Sequence, residues 1–265
     1  MTILDEIITH KRSELEALKS HIPVEFYQNA IVNLPRTKSL RRKLDMSRDF
    51  YFICEIKKAS PSQGIIQANF DPIKQAQQYV EAKADAISIL TDEKYFLGKL
   101  DYLKEIRKTV DLPLLRKDFI IDPYQIYESR YHGADLILLI ARVLTKKQIL
   151  EFSNLAAALK MEVLLELADA NDLDKIPAAD QHIILGINNR NLLTFNVSLE
   201  NSLRLKPLLP EGLPVISESG ILTAMDCKLL YEIGFAGALI GESLMRAASP
   251  KALLDEFRKG ITNAG

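Results

Sequence analysis

Metal ligands and disulfide partners are scarce in this chain of 265 residues, which has two cysteines, four histidines and no tryptophan. The cysteines, Cys54 and Cys227, lie far apart in the sequence, and the histidines form no HxH or HExxH pattern. Metal sites and disulfide frameworks are typically recognised by closely and regularly spaced ligands. We therefore expect a protein with reduced thiols and no bound metal.

The chain also lacks an excess of either charge and any long apolar run. It has 34 basic and 35 acidic residues, with a formal net charge of -1, so no nucleic-acid surface is indicated. No apolar run approaches the ~20 residues that a membrane-spanning helix needs. The N-terminus, MTILDEIITHKRSELEALK, lacks the apolar core of a signal peptide. We expect a cytoplasmic protein with neither a membrane partner nor a nucleic-acid partner.

The first 49 residues predict helices and no clear strand. Apolar residues recur on one helical stripe, with lysine and glutamate on the other faces; the stripe is formed by Ile3, Leu4, Ile7, Ile8, Leu15 and Leu18. The basic run Arg41 to Lys43 is expected to form a solvated helical face. We predict an N-terminal helical extension at residues 1–49, packed on a main domain at residues 50–265, the two forming one structural domain.

From residue 51 onwards, short apolar runs alternate with helical patterns. The runs are YFIC, AISILT, LPLLRKD, ADLILLIA, MEVLLELAD, HIILGINNRN, LPVISESG and GALIGESL. Strict alternation of strand and helix implies a parallel sheet, and eight such units in a chain of this length match a closed barrel. An open doubly wound sheet would predict a glycine-rich phosphate turn after the first strand, where this chain has KKASPSQG. The sequence therefore predicts an α/β fold, a single (β/α)8 TIM barrel.

Polar side chains follow several of these predicted strands. Enzymes with this fold carry their functional residues at the carboxyl ends of the strands; in this chain those ends carry Glu55, Lys57, Lys117, Glu166, Asn188, Arg190 and Glu218. A single charged strand end is usually a structural ion pair, but three acids and three bases at one barrel mouth predict a working site. Because side chains alternate along a strand, Glu55 and Lys57 share the face of Ile53, and Cys54 points away from them.

The last two predicted strands are followed by small residues instead of charges alone. SESG, residues 217–220, follows the seventh run, and IGES, residues 240–243, lies in the eighth. Loops at these two positions form the usual phosphate site of such barrels, because their backbone N–H groups can converge on an anion. Lys57 or Ser60 from the first loop could add to the same anion.

The motifs together resemble one enzyme family. CEIKKASPSQG, ILTDEKYFLG, LLRKDFIIDPYQI, GADLILLIARVL, GINNRNL, ISESGI and ALIGESLM look like the motif series of indole-3-glycerol phosphate synthase. The resemblance covers the whole chain, with one departure: the fifth strand reads LLELAD, where the family more commonly has a histidine before the aspartate. Since the chain ends just after its eighth helical pattern, we expect a monofunctional form.

The resemblance implies a reaction and a set of roles. The family closes the pyrrole ring of 1-(o-carboxyphenylamino)-1-deoxyribulose 5-phosphate with loss of carbon dioxide and water, and needs no cofactor. Lys117 matches the general acid, Glu166 and Lys57 match the later acid–base steps, and Glu55 is expected to pair with Lys117 or Arg190. The substrate-binding positions are Asn188, Arg190, Glu218, Ser60, Phe96, Phe119 and Leu138, and the phosphate positions are Ser219, Gly220, Gly241 and Glu242. The partner expected is this small phosphorylated substrate, with the protein a monomer or a weak homodimer.

Three other functions are compatible with parts of the pattern. A Schiff-base aldolase on a phosphate-binding barrel would use Lys57 or Lys117 as its nucleophile. A sugar-phosphate isomerase of the same pathway would use a cysteine on the first strand, which alternation directs away from the site. A metabolite-binding protein without catalysis would not need the full set of charged strand ends. The EIKK and GINNRNL motifs argue against the aldolase.

Overall fold

A closed parallel barrel forms the centre of the protein. The computed structural model describes residues 2–46, 49–177, 182–191 and 196–262. Within these residues, eight parallel strands pair in chain order, and the barrel closes between the first and the eighth strand. They are β1 (Tyr51–Ile56), β2 (Ala86–Leu90), β3 (Leu114–Lys117), β4 (Leu136–Ile140), β5 (Glu162–Leu167), β6 (Ile183–Asn188), β7 (Val215–Glu218) and β8 (Gly237–Ile240). The prediction of an α/β TIM barrel is confirmed.

Helices precede the barrel and surround it. Before β1 lie α1 (Ile3–His21), α2 (Val24–Ala30) and α3 (Arg41–Met46). The helices that follow are α4 (Pro72–Glu81), α5 (Glu93–Phe96), α6 (Asp101–Arg107), α7 (Pro123–Tyr131), α8 (Lys146–Ala158), α9 (Glu200–Leu205), α10 (Ala224–Glu232), α11 (Glu242–Arg246) and α12 (Pro250–Thr262), with short 3-10 turns at Ala170–Lys175 and Lys206–Leu208. No helix in these described ranges is long and apolar enough to cross a membrane.

Alternation along β1 divides its side chains between two cores. Ile53 points into the barrel, where it packs with Leu164 and Ile216. Cys54 belongs to the larger core between the strands and the surrounding helices, and it is fully buried. Burial raises the pKa of the Cys54 thiol, so this thiol is protonated at neutral pH. The prediction that Cys54 faces away from the barrel interior is confirmed.

Two one-turn helices, α5 and α11, were not among the helices predicted from the sequence. Helix α5 begins after Asp92, whose side chain accepts a hydrogen bond from the Tyr95 backbone N–H. Helix α11 begins after Gly241, directly beyond β8. A single turn of helix is too short to produce a visible apolar period, so periodicity alone does not reveal such elements.

The amino ends of the strands are closed by the segment that leads into α3. The Glu162 carboxylate accepts hydrogen bonds from the backbone N–H groups of Leu40 and Arg41, both at 3.0 Å. The Arg41 guanidinium donates to the carbonyl oxygens of Ile183 and Gly212. Arg41 is therefore buried, and the prediction that it lies on a solvated face is wrong. Strand-start carbonyls at the barrel base give this charge the partners that it needs away from water.

Leu40 fills the base of the barrel interior and provides a test of this closure. Its side chain is fully buried against Leu44, Ile53 and Ile184. We expect Leu40→Ala to lower the free energy of unfolding by roughly 2–5 kcal/mol, since a cavity remains at a site that cannot collapse. Urea unfolding of the variant measures this, beside Leu208→Ala at an exposed leucine as the control. Equal stability of the two variants would contradict the role of Leu40. KM should be unchanged, because the candidate site lies at the opposite end of the barrel.

Candidate active site

One cavity of about 410 Å³ lies at the carboxyl ends of the barrel strands. All the site residues predicted from the sequence line it: Glu55, Lys57, Ser60, Phe96, Lys117, Phe119, Leu138, Glu166, Asn188, Arg190, Glu218, Ser219, Gly220, Gly241 and Glu242. The volume falls in the range of small-molecule sites, and the lining combines charged and polar side chains with apolar ones, as is usual for such sites. The structure thus brings together every residue that the sequence singled out.

Glu55 and Lys57 form a close pair at the end of β1. The Lys57 Nζ donates a hydrogen bond of 2.6 Å to the Glu55 carboxylate, which is buried. Burial alone would raise the pKa of Glu55, but the charges of Lys57, Lys117 and Arg190 outweigh it and lower the pKa. Glu55 is therefore ionised. The sequence named Lys117 or Arg190 as the partner of Glu55; the hydrogen bond comes from Lys57, two residues away on the same face, while Lys117 and Arg190 act on the carboxylate through their charges.

Lys117 lies between two carboxylates contributed by other strands. Its Nζ is 3.5 Å from a carboxylate oxygen of Glu166 on β5 and 3.4 Å from one of Glu218 on β7. Burial alone would lower the pKa of Lys117, but the charges of Glu218, Glu166 and Glu55 outweigh it and raise the pKa. The ammonium is held charged at the lining of the cavity.

Glu218 is the most perturbed acid of the site. It is almost fully buried, and neither of its carboxylate oxygens has a hydrogen-bond partner of suitable geometry in the described part of the chain. Burial, together with the negative charges of Glu166 and Glu55, raises the pKa of Glu218 to about 8, although Lys117 acts in the opposite direction. A carboxyl group that is protonated at neutral pH can donate as well as accept a hydrogen bond. Such perturbation in a cleft is typical of functional acids.

Arg190 connects two loops at the rim of the cavity. Its guanidinium donates to the Ser62 hydroxyl at 3.3 Å and lies 3.8 Å from the Glu242 carboxylate. The Ser60 hydroxyl lies 3.5 Å from that of Ser62 in the same loop after β1. Asn188, at the end of β6, accepts a hydrogen bond from the Arg190 backbone N–H through its side-chain oxygen. Asn188 and Arg190, two of the residues predicted to bind the substrate, therefore lie next to each other in the cavity lining.

The predicted phosphate loop after β8 lies beside Glu55, and the Ser243 hydroxyl at its end donates to the Ile221 carbonyl oxygen, next to the loop after β7. Ser219 and Gly220 both adopt positive φ, 67° and 79°, a conformation that is costly for serine. A Cβ added to Gly220 would lie 2.7 Å from the Val197 side chain, and one added to Gly241 would lie 2.3 Å from the Glu55 carboxylate. Only glycine therefore lets these two loops come this close to the neighbouring residues.

Asn189 holds the Ser219 turn, and the sequence analysis missed it. Its side-chain NH₂ donates to the Ser217 hydroxyl at 2.9 Å and to the Ser219 carbonyl oxygen at 3.0 Å, and its side-chain oxygen accepts from the Ser202 backbone N–H. These bonds fix the strained serine from the outer side of the sheet. Alternation along GINNRN gives the available signal, since it directs Asn188 inward and Asn189 outward.

The apolar wall combines barrel residues with the first helix. Phe96 and Phe119 face each other with ring centroids 6.1 Å apart, and Leu138 lines the same side. Ile3 and Ile7 of α1 line the cavity as well, which the sequence analysis did not predict. The amphipathic stripe showed that α1 packs on something apolar, but a stripe does not identify the surface that it covers.

The family comparison agrees with this geometry. A family model described as indole-3-glycerol phosphate synthase matches residues 4–257. The chain belongs to the indole-3-glycerol phosphate synthase family. Two relatives of that name are similar along nearly their whole length: one from Alkaliphilus metalliredigens is 43% identical over 98% of this chain and 99% of the relative. One from Acetivibrio thermocellus is 44% identical over 97% of this chain and 99% of the relative.

Solved structures outside the indole-3-glycerol phosphate synthase family share the fold. The 3-hexulose-6-phosphate synthase from Salmonella typhimurium superposes with a TM-score of 0.63 at 12% identity, covering 82% of this chain and all of that chain. At this identity the likeness extends to the barrel alone. The family assignment therefore depends on the sequence match and on the residues in the cavity.

Proposed function

We propose that the protein catalyses indole-3-glycerol phosphate synthesis, a decarboxylating and dehydrating ring closure of 1-(o-carboxyphenylamino)-1-deoxyribulose 5-phosphate in tryptophan biosynthesis. The observation that carries the proposal is the Lys117 ammonium, held charged between Glu166 and Glu218 at the carboxyl ends of the barrel strands. The match of the chain to the synthase family supports it. Ring closure needs a donor at the substrate ketone, because the attacking aromatic carbon is a poor nucleophile. Loss of carbon dioxide then restores aromaticity, and a hydroxyl group leaves as water.

Lys117 is proposed to act on the ketone. Its ammonium donates a hydrogen bond to the carbonyl oxygen and stabilises the negative charge that develops there as the carbon–carbon bond forms. The raised pKa of Lys117 supports this assignment, because the group stays protonated at neutral pH. The same raised pKa argues against a Schiff-base aldolase, which needs a neutral lysine amine as nucleophile.

Glu166 and Lys57 are proposed to serve the dehydration, which needs an acid at the leaving hydroxyl and a base at the proton that is lost. The two groups reach the cavity from opposite sides, Lys57 after β1 and Glu166 from β5. Glu55 is proposed to keep the Lys57 ammonium in place through their 2.6 Å hydrogen bond. Glu218 is proposed to bind the intermediate and to exchange a proton with it.

The remaining groups are proposed to bind the substrate. Arg190 suits the substrate carboxylate because a guanidinium can contact both oxygens of a carboxylate, and Asn188 suits a hydroxyl group. Backbone N–H groups of the two loops, Ser219–Gly220 and Gly241–Glu242, are proposed to hold the phosphate, with Ser60 nearby. The anthranilate ring is proposed to lie against the apolar wall that Phe96, Phe119 and Leu138 form.

The proposal is tested by fluorescence of the indole product after the purified protein is mixed with the carboxyphenylamino-deoxyribulose phosphate. We expect multiple turnovers without added metal or cofactor. Binding of the substrate without product would overturn the synthase function. In that event, borohydride reduction in the presence of substrate would separate a Schiff-base lysine from a non-catalytic binding site.

Three further assignments belong to the proposal. Residues 1–49 are proposed to act as an extension of the barrel at 50–265, because α1 contributes to the cavity wall and Leu40 to the barrel interior. The protein is proposed to be a monomer or a weak homodimer and to work in the cytoplasm. Among the described residues, no group of three or more potential ligands could hold a metal ion.

A further inference from the structure

Lys11 is a buried lysine on the face of α1 that packs on the barrel. It lies between Ile7 and Leu15 on the buried stripe of the helix and is 4% exposed. Its Nζ lies 2.8 Å from a carboxylate oxygen of the partly exposed Glu14 on the same helix, 3.1 Å from one of Asp92 and 3.2 Å from one of Asp118. Both aspartates are essentially inaccessible to solvent, and they follow two neighbouring strands, β2 and β3.

Each of the two aspartates anchors one phenylalanine of the apolar wall. Asp92 begins α5 by accepting a hydrogen bond of 2.8 Å from the Tyr95 backbone N–H, and Phe96 is the last residue of that helix. Asp118 accepts a hydrogen bond of 2.8 Å from the backbone N–H of Phe119. Lys11 therefore joins the two carboxylates that set the backbone positions of the facing aromatic rings.

We propose that Lys11 is a positioning residue for the reaction: it ties α1 to Asp92 and Asp118 and so fixes the Phe96–Phe119 wall against which the aromatic part of the substrate lies. The inference depends on the function proposed above. It assigns Lys11 a role in substrate binding, through other residues, and none in the bond-forming steps.

The charges around Lys11 show why an apolar residue cannot replace it. The second carboxylate oxygen of Asp92 accepts no well-formed hydrogen bond in the described chain, and the Lys11 ammonium is its counter-charge. Burial alone would raise the pKa of Asp118, but Lys11 and Arg116 outweigh it and hold the pKa well below its usual range. Removing one partner of a buried ion pair leaves an uncompensated charge. The surrounding structure must then rearrange so that water can reach this charge.

The tie is tested by the kinetics of Lys11→Met, which keeps the length of the side chain and removes its charge. We expect KM for the carboxyphenylamino-deoxyribulose phosphate to rise roughly ten- to hundredfold, because displaced wall residues no longer hold the ring in place. We expect kcat to stay within about threefold, since the ammonium and carboxylates proposed to react keep their own partners. Lys19→Met is the matched control: Lys19 also ties α1 to the barrel, through Asp122 at 2.6 Å, but its side chain is 43% exposed and away from the wall. This control should keep both constants.

A double variant separates positioning from charge balance. Lys11→Met with Asp92→Asn removes one charge of each sign and retains the side-chain oxygen that accepts from Tyr95, so it should fold even where the single variant does not. Positioning predicts that KM stays raised by about tenfold in the double variant, because the tie to α1 is still missing. A wild-type KM in the double variant, or equal KM values for the two single lysine variants, would overturn the inference. Absence of turnover in the wild type would overturn the proposed function and this inference together.

Discussion

Lys117→Met is expected to lower kcat by roughly 10²–10⁴-fold, the contribution usual for a positioned acid–base group. The native ammonium lines the cavity 3.5 and 3.4 Å from the Glu166 and Glu218 carboxylates, which keep it charged where the substrate ketone is proposed to bind. Methionine keeps the length of the side chain but can neither donate a hydrogen bond nor stabilise an alkoxide. The measurement is the initial rate of indole-product fluorescence at saturating substrate.

Lys251→Met controls for the loss of one positive charge. Lys251 lies on α12 and pairs with Asp255 on the surface, away from the barrel mouth. We expect wild-type kcat and KM for this control. Should Lys117→Met retain turnover within a few-fold of the wild type while remaining folded, Lys117 would lose the role proposed for it, although the function of the protein would stand.

The positions of the polar residues at the strand ends were predictable from the sequence because two structural rules determine them. Side chains alternate along a strand, and the carboxyl ends of all strands of a parallel barrel lie at one rim. These two rules place Glu55 inward and Cys54 outward, and the structure confirms both. Lys117 and Glu166, 49 residues apart in the sequence, meet at the same rim for the same reason.

The partners of the buried positive charges were not predictable from the sequence. Helical periodicity shows on which face of a helix a residue lies, but it does not show which residues pack against that face. Arg41 was expected on a solvated helical face, and Lys11 was not singled out although it falls between Ile7 and Leu15 on the apolar stripe of α1; both are buried. Arg41 meets carbonyl oxygens at the start of β6 and before β7, and Lys11 meets two acids after β2 and β3. These partners are more than 70 residues away in the sequence, and they add to one local acid on each helix, Asp45 for Arg41 and Glu14 for Lys11.

Local geometry accounts for the remaining differences. The hydrogen-bond partner of Glu55 depends on which cationic side chain can reach its carboxylate. Lys57, two residues away on the same strand face, donates this bond at 2.6 Å. The Asn189 contacts depend on the left-handed turn at Ser219, and no sequence rule predicts that conformation for serine. Such strained positions are concentrated at functional sites, where the surrounding hydrogen bonds maintain them.

Glu218→Gln is expected to lower kcat/KM by roughly 10²-fold at pH 7 and to change the pH profile. Burial and the charges of Glu166 and Glu55 raise the Glu218 pKa to about 8 against the opposing charge of Lys117, so this carboxyl takes up a proton at a higher pH than an ordinary glutamate. If its proton is passed to the intermediate, wild-type kcat/KM should fall as the pH rises above 8, when the donor is lost. Glutamine keeps a hydrogen-bond donor but has no proton to transfer, so the variant should lack this decline near pH 8. Rates measured from pH 6 to pH 10 would show both effects.

The stability of the same variant gives an independent check of the protonation state. A carboxyl whose pKa rises on folding binds its proton more tightly in the folded state. Glu218 therefore reduces the free energy of unfolding progressively as the pH rises from its ordinary pKa of 4.5 toward 8, where the folded protein must bury the ionised form. Glu218→Gln should remove this part of the pH dependence, which urea unfolding at pH 5, 7 and 9 would measure. A variant with wild-type kcat/KM at pH 7 but an altered stability profile would show that Glu218 is protonated yet transfers no proton. An unchanged stability profile would show instead that the folded protein already holds Glu218 ionised at neutral pH, with Lys117 as its dominant neighbour.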